Sequence, residues 1–568
     1  MNKVILLALL MPAAAFGQNM ENTGPASVII SEIMADPSPV VGLPDREYLE
    51  LYNRTGDQVN LKSWILSDGI TKSIFPDVVI SPRSYMILCQ REDTAMFRNY
   101  GKTTGLKSFP ALTNEGKTIF IRDSKGTLIH GIKYSSVWYG DILKSGGGWS
   151  LEIIDTDYPF FEYGNWHASR SPDGGTPGKT NSVSGLNPDN IFSGIDNVFP
   201  DDNSRVKIKF SETITGLTMK PESIEIDGFE INTLLCTDPL LSEYTAFLSQ
   251  PLKRGVIYTL NARDDVTDFA GNKMDRNEFS FGLPEKAGSK DVLFNEILFN
   301  PLPEEPDFIE FYNCSEKIFN KADLLLVSVN DESHDTSSVV PVSPVNHCLL
   351  PRNYIVITSD KSALQRRFSS SDPDNIFEIP SLPSMPDDKG HLVLFNRSLE
   401  KIDEVFYDEK MHYSLLSGNE GISLEKVTIE GNSADITVWH SASESSGWGT
   451  PGAPNSVLTQ HQERGDRIIM SSTRITPDND GNEDILVIDF NLEGLGNVIS
   501  VDIFDEAGRF IKRLSDNLLA GPEATVVWNG TAEDEKLVGT GIYILLIKIF
   551  DDTGKAERWK RVCTVIRN

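Results

Sequence analysis

The sequence predicts an all-β protein built of tandem β-sandwiches, and three observations support this. Apolar and polar residues alternate in short runs such as REYLELYN from Arg46 and KTIFIRD from Lys117, which is the period of a β-strand. Turn residues such as Ser67-Asp68-Gly69 separate the runs. The stretch VIISEIMADPSPVVGLPDREYLELYN from Val28 returns as VLFNEILFNPLPEEPDFIEFYN from Val292. At 568 residues the chain is too long for one core, and about 150 residues per domain gives about four domains.

The ends of the two copies repeat as well. GTPGKTNSV from Gly175 closes the first copy, and GTPGAPNSV from Gly449 closes the second. Between the opening and closing motifs, the first copy has SPRSYMIL from Ser81 and the second has the similar LPRNYIVI from Leu350, at the same place in the order of motifs. We therefore interpret the chain as an internal duplication.

The motifs of the first copy resemble the lamin-tail domain, an immunoglobulin-like β-sandwich. The resemblance rests on Glu32-Ile33, EYLELYN from Glu47, WILSD from Trp64, and NWHAS from Asn165 with the GTPG that follows. It implies that the fold is a series of tandem immunoglobulin-like β-sandwiches. The first lamin-tail domain is expected at residues 28–185.

The second copy resembles the same domain but is more divergent. It reads ADLLLVSVND from Ala322 where the first copy has Trp64, yet it keeps WHSAS from Trp439. A lamin-tail-like domain is therefore expected at residues 288–457.

The segment between the copies, residues 186–287, keeps a strand-like composition with different motifs. FSETI from Phe210 and DFAGN from Asp268 resemble the small immunoglobulin-like domains of bacterial surface proteins. In DFAGN, Gly271 and Asn272 suit a tight turn before a last strand. We expect this domain to serve as a spacer and platform.

A polar linker is expected at residues 458–466, followed by a last β-domain at residues 467–568. Its motifs are TPDNDG around Pro477, DEAGR from Asp505, GIY from Gly541 and a basic end with Lys560 and Arg561. They resemble flagellar hook-cap-type immunoglobulin-like domains and, equally, the C-terminal sorting domains of proteins exported by type IX secretion.

The N-terminus predicts export. Residues 1–17 carry Lys3, an apolar run from Val4 and small residues at the end, which indicates a signal peptide cut before Gln18. Residues 18–27 then form a short leader. Because no later stretch of about 20 apolar residues follows, no transmembrane segment is expected after cleavage. The expected location is extracellular or at the outer-membrane surface, with the periplasm as an alternative.

The loop DNDGNED has the best metal-ligand spacing in the chain. Asp478, Asp480, Asn482 and Asp484 place oxygen side chains at every second position, which suits Ca²⁺, the only cofactor that we consider. The EF-hand pattern is not met, since Val487 stands where its last glutamate belongs. A rigid turn that satisfies its own backbone remains the alternative interpretation.

Aromatic residues cluster before the end of the first copy and could line a sugar- or peptide-binding face. Trp149 and Trp166 occupy repeating positions and are expected in the core. Tyr158, Phe160 and Phe161 fall in one Pro-containing loop, so we expect them to form an exposed patch that binds a partner.

Recurring carboxylates are the remaining candidates for chemistry. These residues are Glu32, Glu47 and Glu50 in the first copy, and Glu296, Asp307 and Glu310 in the second. Paired carboxylates can act as acid and base or bind metal. We instead expect solvated strand positions, with Glu47 and Glu50 on opposite faces of their strand. The sequence contains no HExxH, GxSxG, phosphate loop or CxxC motif, so an enzyme is not expected.

Charge and cysteine content exclude some classes of protein. The net charge is −30, which disfavours nucleic acid as a partner because phosphate binding needs clustered basic residues. The five cysteines are too few for a disulfide framework, and buried free thiols are expected. A bridge between Cys314 and Cys348 is left open, since spacing does not establish geometry.

Together these observations predict a non-enzymatic, secreted or cell-surface protein that binds or scaffolds a protein or a surface polymer through its sandwich loops. One alternative is a component or cargo of a type IX secretion or gliding machinery. The other is a cryptic extracellular hydrolase that uses the carboxylates.

Overall fold

A computed structural model describes most of the chain. The described residues are 24–161, 164–215, 219–330, 335–336, 339–368, 373–412, 416, 418–458, 467–492, 497–520, 523–550 and 555–567. The expected signal peptide, the first residues of the leader, Tyr163 and residues 459–466 of the expected linker lie outside them. The chain divides into two compact units. The first unit comprises Met1–Asn197, Arg205–Ser249 and Leu260–Phe279. The second unit comprises Val198–Ser204, Gln250–Thr259 and Ser280–Asn568.

The predicted all-β class with tandem immunoglobulin-like sandwiches is confirmed. The first sandwich lies in the first unit, and its strands are β1 (Val28–Met34), β2 (Tyr48–Asn53), β3 (Val59–Asn60), β4 (Ile65–Ser67), β5 (Lys72–Ile74), β6 (Val79–Ile80), β7 (Tyr85–Gln90), β8 (Thr103–Leu106), β9 (Gly116–Arg122), β10 (Leu128–Ser135), β11 (Leu151–Ile153) and β12 (Trp166–Ala168). Its six-stranded sheet has the order β12-β11-β1-β2-β7-β8, and its four-stranded sheet the order β10-β9-β4-β5. Trp64 and Trp166 are buried in the core and Trp149 packs against it, as predicted for Trp149 and Trp166.

The second sandwich has most of its residues in the first unit. Its strands are β13 (Phe192–Pro200), β14 (Arg205–Phe210), β15 (Ile224–Ile226), β16 (Ile231–Cys236), β17 (Glu243–Leu248), β18 (Tyr258–Ala262), β19 (Met274–Arg276) and β20 (Glu278–Phe281). They form sheets of the order β16-β17-β14-β13-β19 and β15-β18-β20. The DFAGN segment is a turn, in which the amide of Asn272 donates to the carboxylate of Asp268 at 2.8 Å.

The third sandwich lies in the second unit. Its strands are β21 (Val292–Leu298), β22 (Phe308–Asn313), β23 (Phe319–Asn320), β24 (Leu324–Val329), β25 (Val340–Pro341), β26 (Cys348–Leu349), β27 (Tyr354–Thr358), β28 (Ile376–Glu378), β29 (Lys389–Asn396), β30 (Lys401–Asp408), β31 (Leu424–Lys426) and β32 (Trp439–Ser441). The sheet orders, β32-β31-β21-β22-β27-β28 and β30-β29-β24-β25, match those of the first sandwich strand for strand.

The fourth sandwich also lies in the second unit. Its strands are β33 (Ile468–Met470), β34 (Arg474–Ile475), β35 (Leu486–Asn491), β36 (Asn497–Asp505), β37 (Phe510–Ala520), β38 (Glu523–Trp528), β39 (Gly541–Phe550) and β40 (Ala556–Val565). The sheets have the orders β33-β35-β38 and β34-β40-β39-β36-β37. Trp528 is buried between them, its ring 5.3 Å from that of Tyr543, so the GIY motif supplies a core residue.

The α-helices are short, at α1 (Thr94–Phe97) and α2 (Lys361–Arg367). From the sequence, Asp93 to Tyr100 looks helical; in the structure a 3₁₀ turn at Arg91–Asp93 leads into the helix, which ends at Phe97. Among the described residues, no helix has the length and apolar character needed to cross a membrane.

The cysteines follow the free-thiol expectation, and the bridge left open between Cys314 and Cys348 is not formed. Cys348 is buried and Cys314 is partly exposed. Cys236 departs from the expectation of burial, because it lies on an exposed part of β16.

The six-stranded sheet of the first sandwich is covered on both faces. Leu49 and Leu51 of β2 face the sandwich core, whereas Tyr48 packs in a second cluster with Phe97 of α1. The closing segment, residues 175–183, covers the part of this outer face that carries glutamates. As a result every residue of β1 is buried.

Rows of buried glutamates cross the outer face of this sheet and of its counterpart in the third sandwich. Each row joins three neighbouring strands in register, with Glu50, Glu32 and Glu152 in the first sandwich and Glu310, Glu296 and Glu425 in the third. All have a relative exposure of 0%. The expectation that Glu32, Glu50, Glu296 and Glu310 are solvated is therefore wrong, because a later segment of the chain covers them. Glu47 and Asp307 are half-buried.

The rows hold the closing segment through hydrogen bonds. The amide of Thr176 donates to Glu32 at 2.8 Å, the amide of Gly178 donates to Glu50, and that of Val183 donates to Glu152 at 3.1 Å. In the third sandwich, the equivalent donors to Glu296, Glu310 and Glu425 are the amides of Thr450, Gly452 and Val457. Each recurring GTPG…NSV motif is thus a set of donors for one row of carboxylates.

Side chains of the motif complete the attachment. The amide group of Asn181 donates to the carbonyls of Ser31 and Ile153, at 2.8 and 2.9 Å. Gly175 is required because a Cβ there would lie 2.6 Å from the Tyr48 hydroxyl and 2.7 Å from Glu32. These contacts explain why the motif recurs with its glycine and asparagine in place.

Burial favours the protonated form of these carboxyl groups. It raises the pKa of Glu32 to about 7, with the charge of Glu152 as a second cause, and raises that of Glu310 to about 8. The pKa values of Glu50 and Glu296 are also raised, first by burial and then by neighbouring glutamates. Each row therefore retains protons at pH values where solvent-exposed glutamates are fully ionised.

We predict that the first sandwich loses stability as the pH rises from about 4.5 to about 7. The pKa of Glu32 is raised above its usual 4.5, so the stabilisation from its protonation is complete below pH 4.5 and is lost as the pH passes through about 7. One such proton changes the free energy of unfolding by about 1.4 kcal/mol per pH unit within this window. Hydrogen–deuterium exchange of peptides from β1, corrected for intrinsic rates, measures the change.

Glu32→Gln removes this titration and is expected to flatten the pH dependence. Glu225→Gln, at an exposed strand position of the second sandwich, is the control and should leave it unchanged. A wild-type protein whose β1 becomes more protected between pH 5 and pH 7 would contradict the proposed role of the row.

Candidate binding site

The loop predicted as an exposed aromatic patch lies between β11 and β12. Tyr158 and Phe161 are half-buried, whereas Phe160 is only 4% exposed. The ring of Phe160 stacks on that of Phe269 at a centroid distance of 4.0 Å and lies 5.3 Å from that of His130. The expectation of exposure is thus wrong for Phe160, because a residue of the second sandwich packs on it.

A cavity of about 230 Å³ lies beside this loop, within the first unit. It is lined by Asp157, Tyr158, Pro159, Phe160, Phe161, Asp189, Phe269 and Ala270. Half of these lining residues are therefore aromatic, and carboxylates stand at two positions. All three residues of the predicted patch line this cavity, so the structure brings them together at one site.

The acidic side of the cavity belongs to a larger cluster. Asp189, Glu212 and Asp268 each have a carboxylate oxygen within 4.8 Å of the others. Burial and the negative charge of Asp268 raise the pKa of Asp189 to about 6. The side-chain amide of Asn272 donates to both Asp189 and Asp268, at 3.2 and 2.9 Å. Sequence reasoning missed this cluster, although Glu212 lies in FSETI and Asp268 in DFAGN.

The second carboxylate of the cavity, Asp157, is paired with a cation at the surface. Its side chain is 75% exposed and lies 3.2 Å from the guanidinium of Arg54, which also donates to its backbone carbonyl. The surface pair is screened by solvent. The cavity therefore presents aromatic faces beside one buried carboxylate that stays ionised above about pH 6.

The predicted calcium loop brings its three aspartates together. Oxygens of Asp478, Asp480 and Asp484 lie within 4.8 Å of one another, a spacing that suits ligands of one Ca²⁺, and the backbone amide of Asn482 donates to Asp480 at 2.8 Å. Asp484 also accepts hydrogen bonds from the amides of Asn479 and Gly481, at 2.5 and 2.8 Å. The loop thus has features of both expectations, a carboxylate cluster and a self-satisfied turn.

Carboxylates considered for acid–base chemistry do not form an open site in the structure. Glu32 and Glu50 are buried beneath the closing segment, with hydroxyl and backbone amide donors on their oxygens. Their raised pKa values are explained by burial within the fold. The geometry supports a structural role for them.

Solved structures that resemble the chain do so weakly. CopC from Methylosinus trichosporium OB3b is 17% identical over 15% of this chain and 78% of that chain, with a TM-score of 0.12. The N-terminal part of the bacterial S-layer protein SbsC is 19% identical over 28% of this chain and 44% of that chain, with a TM-score of 0.15. SGBP-B of the Bacteroides ovatus mixed-linkage glucan utilization locus is 10% identical over 94% of this chain and 93% of that chain, with a TM-score of 0.16. At these scores the likenesses carry no argument about this chain.

Family models give clearer matches. No curated protein matches the chain. The model of the Lamin Tail Domain matches residues 21–136, and that of the CHU_C Type IX secretion signal domain matches residues 469–562. Both are domains of non-catalytic types, and the second indicates secretion or export to the cell surface. The chain thus contains a lamin tail domain near its N-terminus and a type IX secretion signal domain near its C-terminus.

Proposed function

We propose that the protein is exported by type IX secretion and acts at the outer cell surface as a non-catalytic binding scaffold. The observation that carries the binding role is the aromatic cavity with its buried carboxylate in the first unit. The C-terminal signal domain supports the location, and the N-terminal signal peptide predicted from the sequence accounts for the first step of export.

The chemistry of the cavity favours a positively charged group. A lysine or arginine head is attracted to aromatic faces by their quadrupole and to a carboxylate by its charge. At about 230 Å³ the cavity is smaller than the pockets that enclose drug-sized ligands and suits a single side chain. The partner that we propose is therefore a protein that presents a basic side chain, with Phe161 and Phe269 beside it and Asp189 as its counter-ion.

A second role, as a passenger of the secretion machinery without a surface ligand, is favoured by the C-terminal domain alone. The two roles differ in what the cavity does. They share the requirement for residues 467–568 in export.

We expect deletion of residues 467–568 to abolish surface display, because the matched signal domain lies within them. Antibody labelling and protease treatment of intact cells, with blots of the periplasmic fraction, measure this. The truncated chain should collect inside the outer membrane, while the full chain is labelled outside. Equal labelling of both chains would show that this domain is not the export signal.

We predict that the cavity binds a lysine-containing tripeptide more tightly than its glutamine counterpart. Titration of the purified full chain, followed by nuclear magnetic resonance of the peptide, compares the two peptides at pH 7.5 and pH 5. Binding should weaken at pH 5, since Asp189, with its pKa raised to about 6, then becomes neutral. Phe161→Ala should remove the preference. Ile70→Ala, at a fully exposed position, is the control. Equal binding of both peptides would argue for the passenger role.

We also propose that the loop at Asp478, Asp480 and Asp484 binds Ca²⁺, with the side-chain oxygen of Asn482 as a further ligand. A bound ion stabilises the folded state by mass action, so Ca²⁺ should raise the unfolding temperature of the fourth sandwich relative to EDTA. Calorimetry of the full chain measures this, and the double variant Asp478→Asn/Asp480→Asn should lose the effect. A wild-type unfolding temperature that is the same in Ca²⁺ and EDTA would leave the loop as a turn.

A further inference from the structure

A second and larger cavity lies on the third sandwich. It is an open groove of about 550 Å³, within the size range of pockets that hold small ligands. Strands β24, β29 and β30 form its floor. The cavity in the first unit does not share any of its lining residues.

Three paired positions on neighbouring strands form the middle of the floor. Val329 pairs with His391, and His391 pairs with Phe406. The neighbouring residues Leu392 and Val405 face the core with 0% exposure, so the row lies on the outer face. The rings of His391 and Phe406 stack with centroids 3.8 Å apart and an angle of 25°, so His391 covers one face of the Phe406 ring and supports it.

Phe406 is open to solvent although it is large and apolar. Its relative exposure is 38%. Polar side chains surround it, among them Lys389 and Asp408, which face each other across β29 and β30. Asn330 and Thr336 line the side of the groove next to β24. The groove thus combines an apolar platform with donors and acceptors at its edge.

We propose that this groove binds a neutral saccharide, with one sugar ring against Phe406 and hydroxyl groups bonded to Asp408 and Lys389. The C–H face of a sugar ring is apolar and suits an aromatic platform. Hydroxyl groups both donate and accept, so one ligand satisfies a carboxylate and an ammonium together. An apolar occupant would instead remove water from the Lys389 ammonium and the Asp408 carboxylate, which costs free energy even though Asp408 keeps its hydrogen bond from the amide of Lys410.

Charge favours a neutral saccharide over an anionic one. Among the described residues that line the groove, the carboxylates are Asp335 and Asp408 and the ammonium is that of Lys389. The chain as a whole has a net charge of −30, which repels polyanions. Uronic-acid polymers and nucleic acids are therefore poor ligands for this surface.

The first sandwich provides an internal comparison. Its hairpin turn at Asp123 corresponds to that at Asn396, because each side chain accepts from the amides two and four residues later. In the first sandwich, Thr118 lies five residues before the turn and pairs with Lys133 across the hairpin. In the third sandwich, His391 lies five residues before the turn and pairs with Phe406. The first sandwich therefore has Thr118 and Lys133 in place of the aromatic pair. The platform is a feature of the third sandwich, and Lys133 is a matched control position.

This inference extends the proposed surface-binding role to a second ligand and rests on it for its biological setting only. The test uses purified full chain with no cells, so a negative result leaves the export and cavity experiments unaffected. Conversely, failure of surface display would not change binding in solution.

Isothermal titration with cellohexaose, laminarihexaose, maltohexaose and mannohexaose, and with polygalacturonate as an anionic comparator, tests the proposal. At least one neutral hexasaccharide should bind, and Phe406→Ala should weaken it by about ten-fold or more through loss of the platform. Asp408→Asn should weaken it as well. Lys133→Ala should have no effect, and circular dichroism checks the fold of each variant.

Three results would overturn the proposal. The first is that no neutral hexasaccharide binds, and the second is that only polygalacturonate binds. The third is that a folded Phe406→Ala variant binds as tightly as the wild type. His391→Ala is a second variant that tests the role of Phe406 in binding. It removes the ring that stacks on Phe406 and leaves Lys389 and Asp408 in place, so it should also weaken binding of the hexasaccharide.

Discussion

Buried carboxylates that accept hydrogen bonds from backbone amides are the interaction on which the first and third sandwiches depend. A row of glutamates in the middle of a sheet would be costly to bury without donors. The Thr, Gly and Val amides of the closing segment supply these donors, and each hydrogen bond contributes about 0.5–1.5 kcal/mol when the carboxyl group is protonated and about 1.5–3 kcal/mol when it is ionised. The protons that each row retains, because burial raises the pKa of its carboxyl groups, keep the charge of the row below its maximum. The outer face of the sheet is covered in this way without a large apolar surface.

The strands could be predicted from sequence because their signal is local. Alternation in REYLELYN identifies β2 and the face that carries Leu49 and Leu51. The same alternation gave the wrong environment for Glu50, since polar residues opposite a core face normally meet water. Its donor, Gly178, lies 128 residues away in sequence. GTPG…NSV and the glutamates recur together in both copies, which could have indicated that they are in contact. The sequence does not show that the amides of the first motif donate hydrogen bonds to the carboxyl groups of the second.

The candidate sites likewise differ in whether their residues are close together in the sequence. Asp478, Asp480 and Asp484 lie within one short loop, so their spacing in sequence was enough to predict that they meet. The aromatic cavity also needs Phe269 and Asp189, which lie outside the first sandwich. No local sequence pattern predicts that these residues contact the loop that carries Phe160. His391 and Phe406 are 15 residues apart and meet only because of the register of a hairpin. Sites built by register or by packing between domains require the fold.

The order of the segments along the chain has a practical consequence for dissecting the protein. The matched lamin tail region, residues 21–136, includes Glu32 and Glu50 but stops before β11, β12 and the closing segment. A recombinant fragment cut at that boundary would present these two carboxylates to solvent, with neither their amide donors nor the strand that carries Glu152. The smallest fragment with a complete hydrogen-bonded sheet runs to Val183, about 47 residues further than the family match alone would indicate.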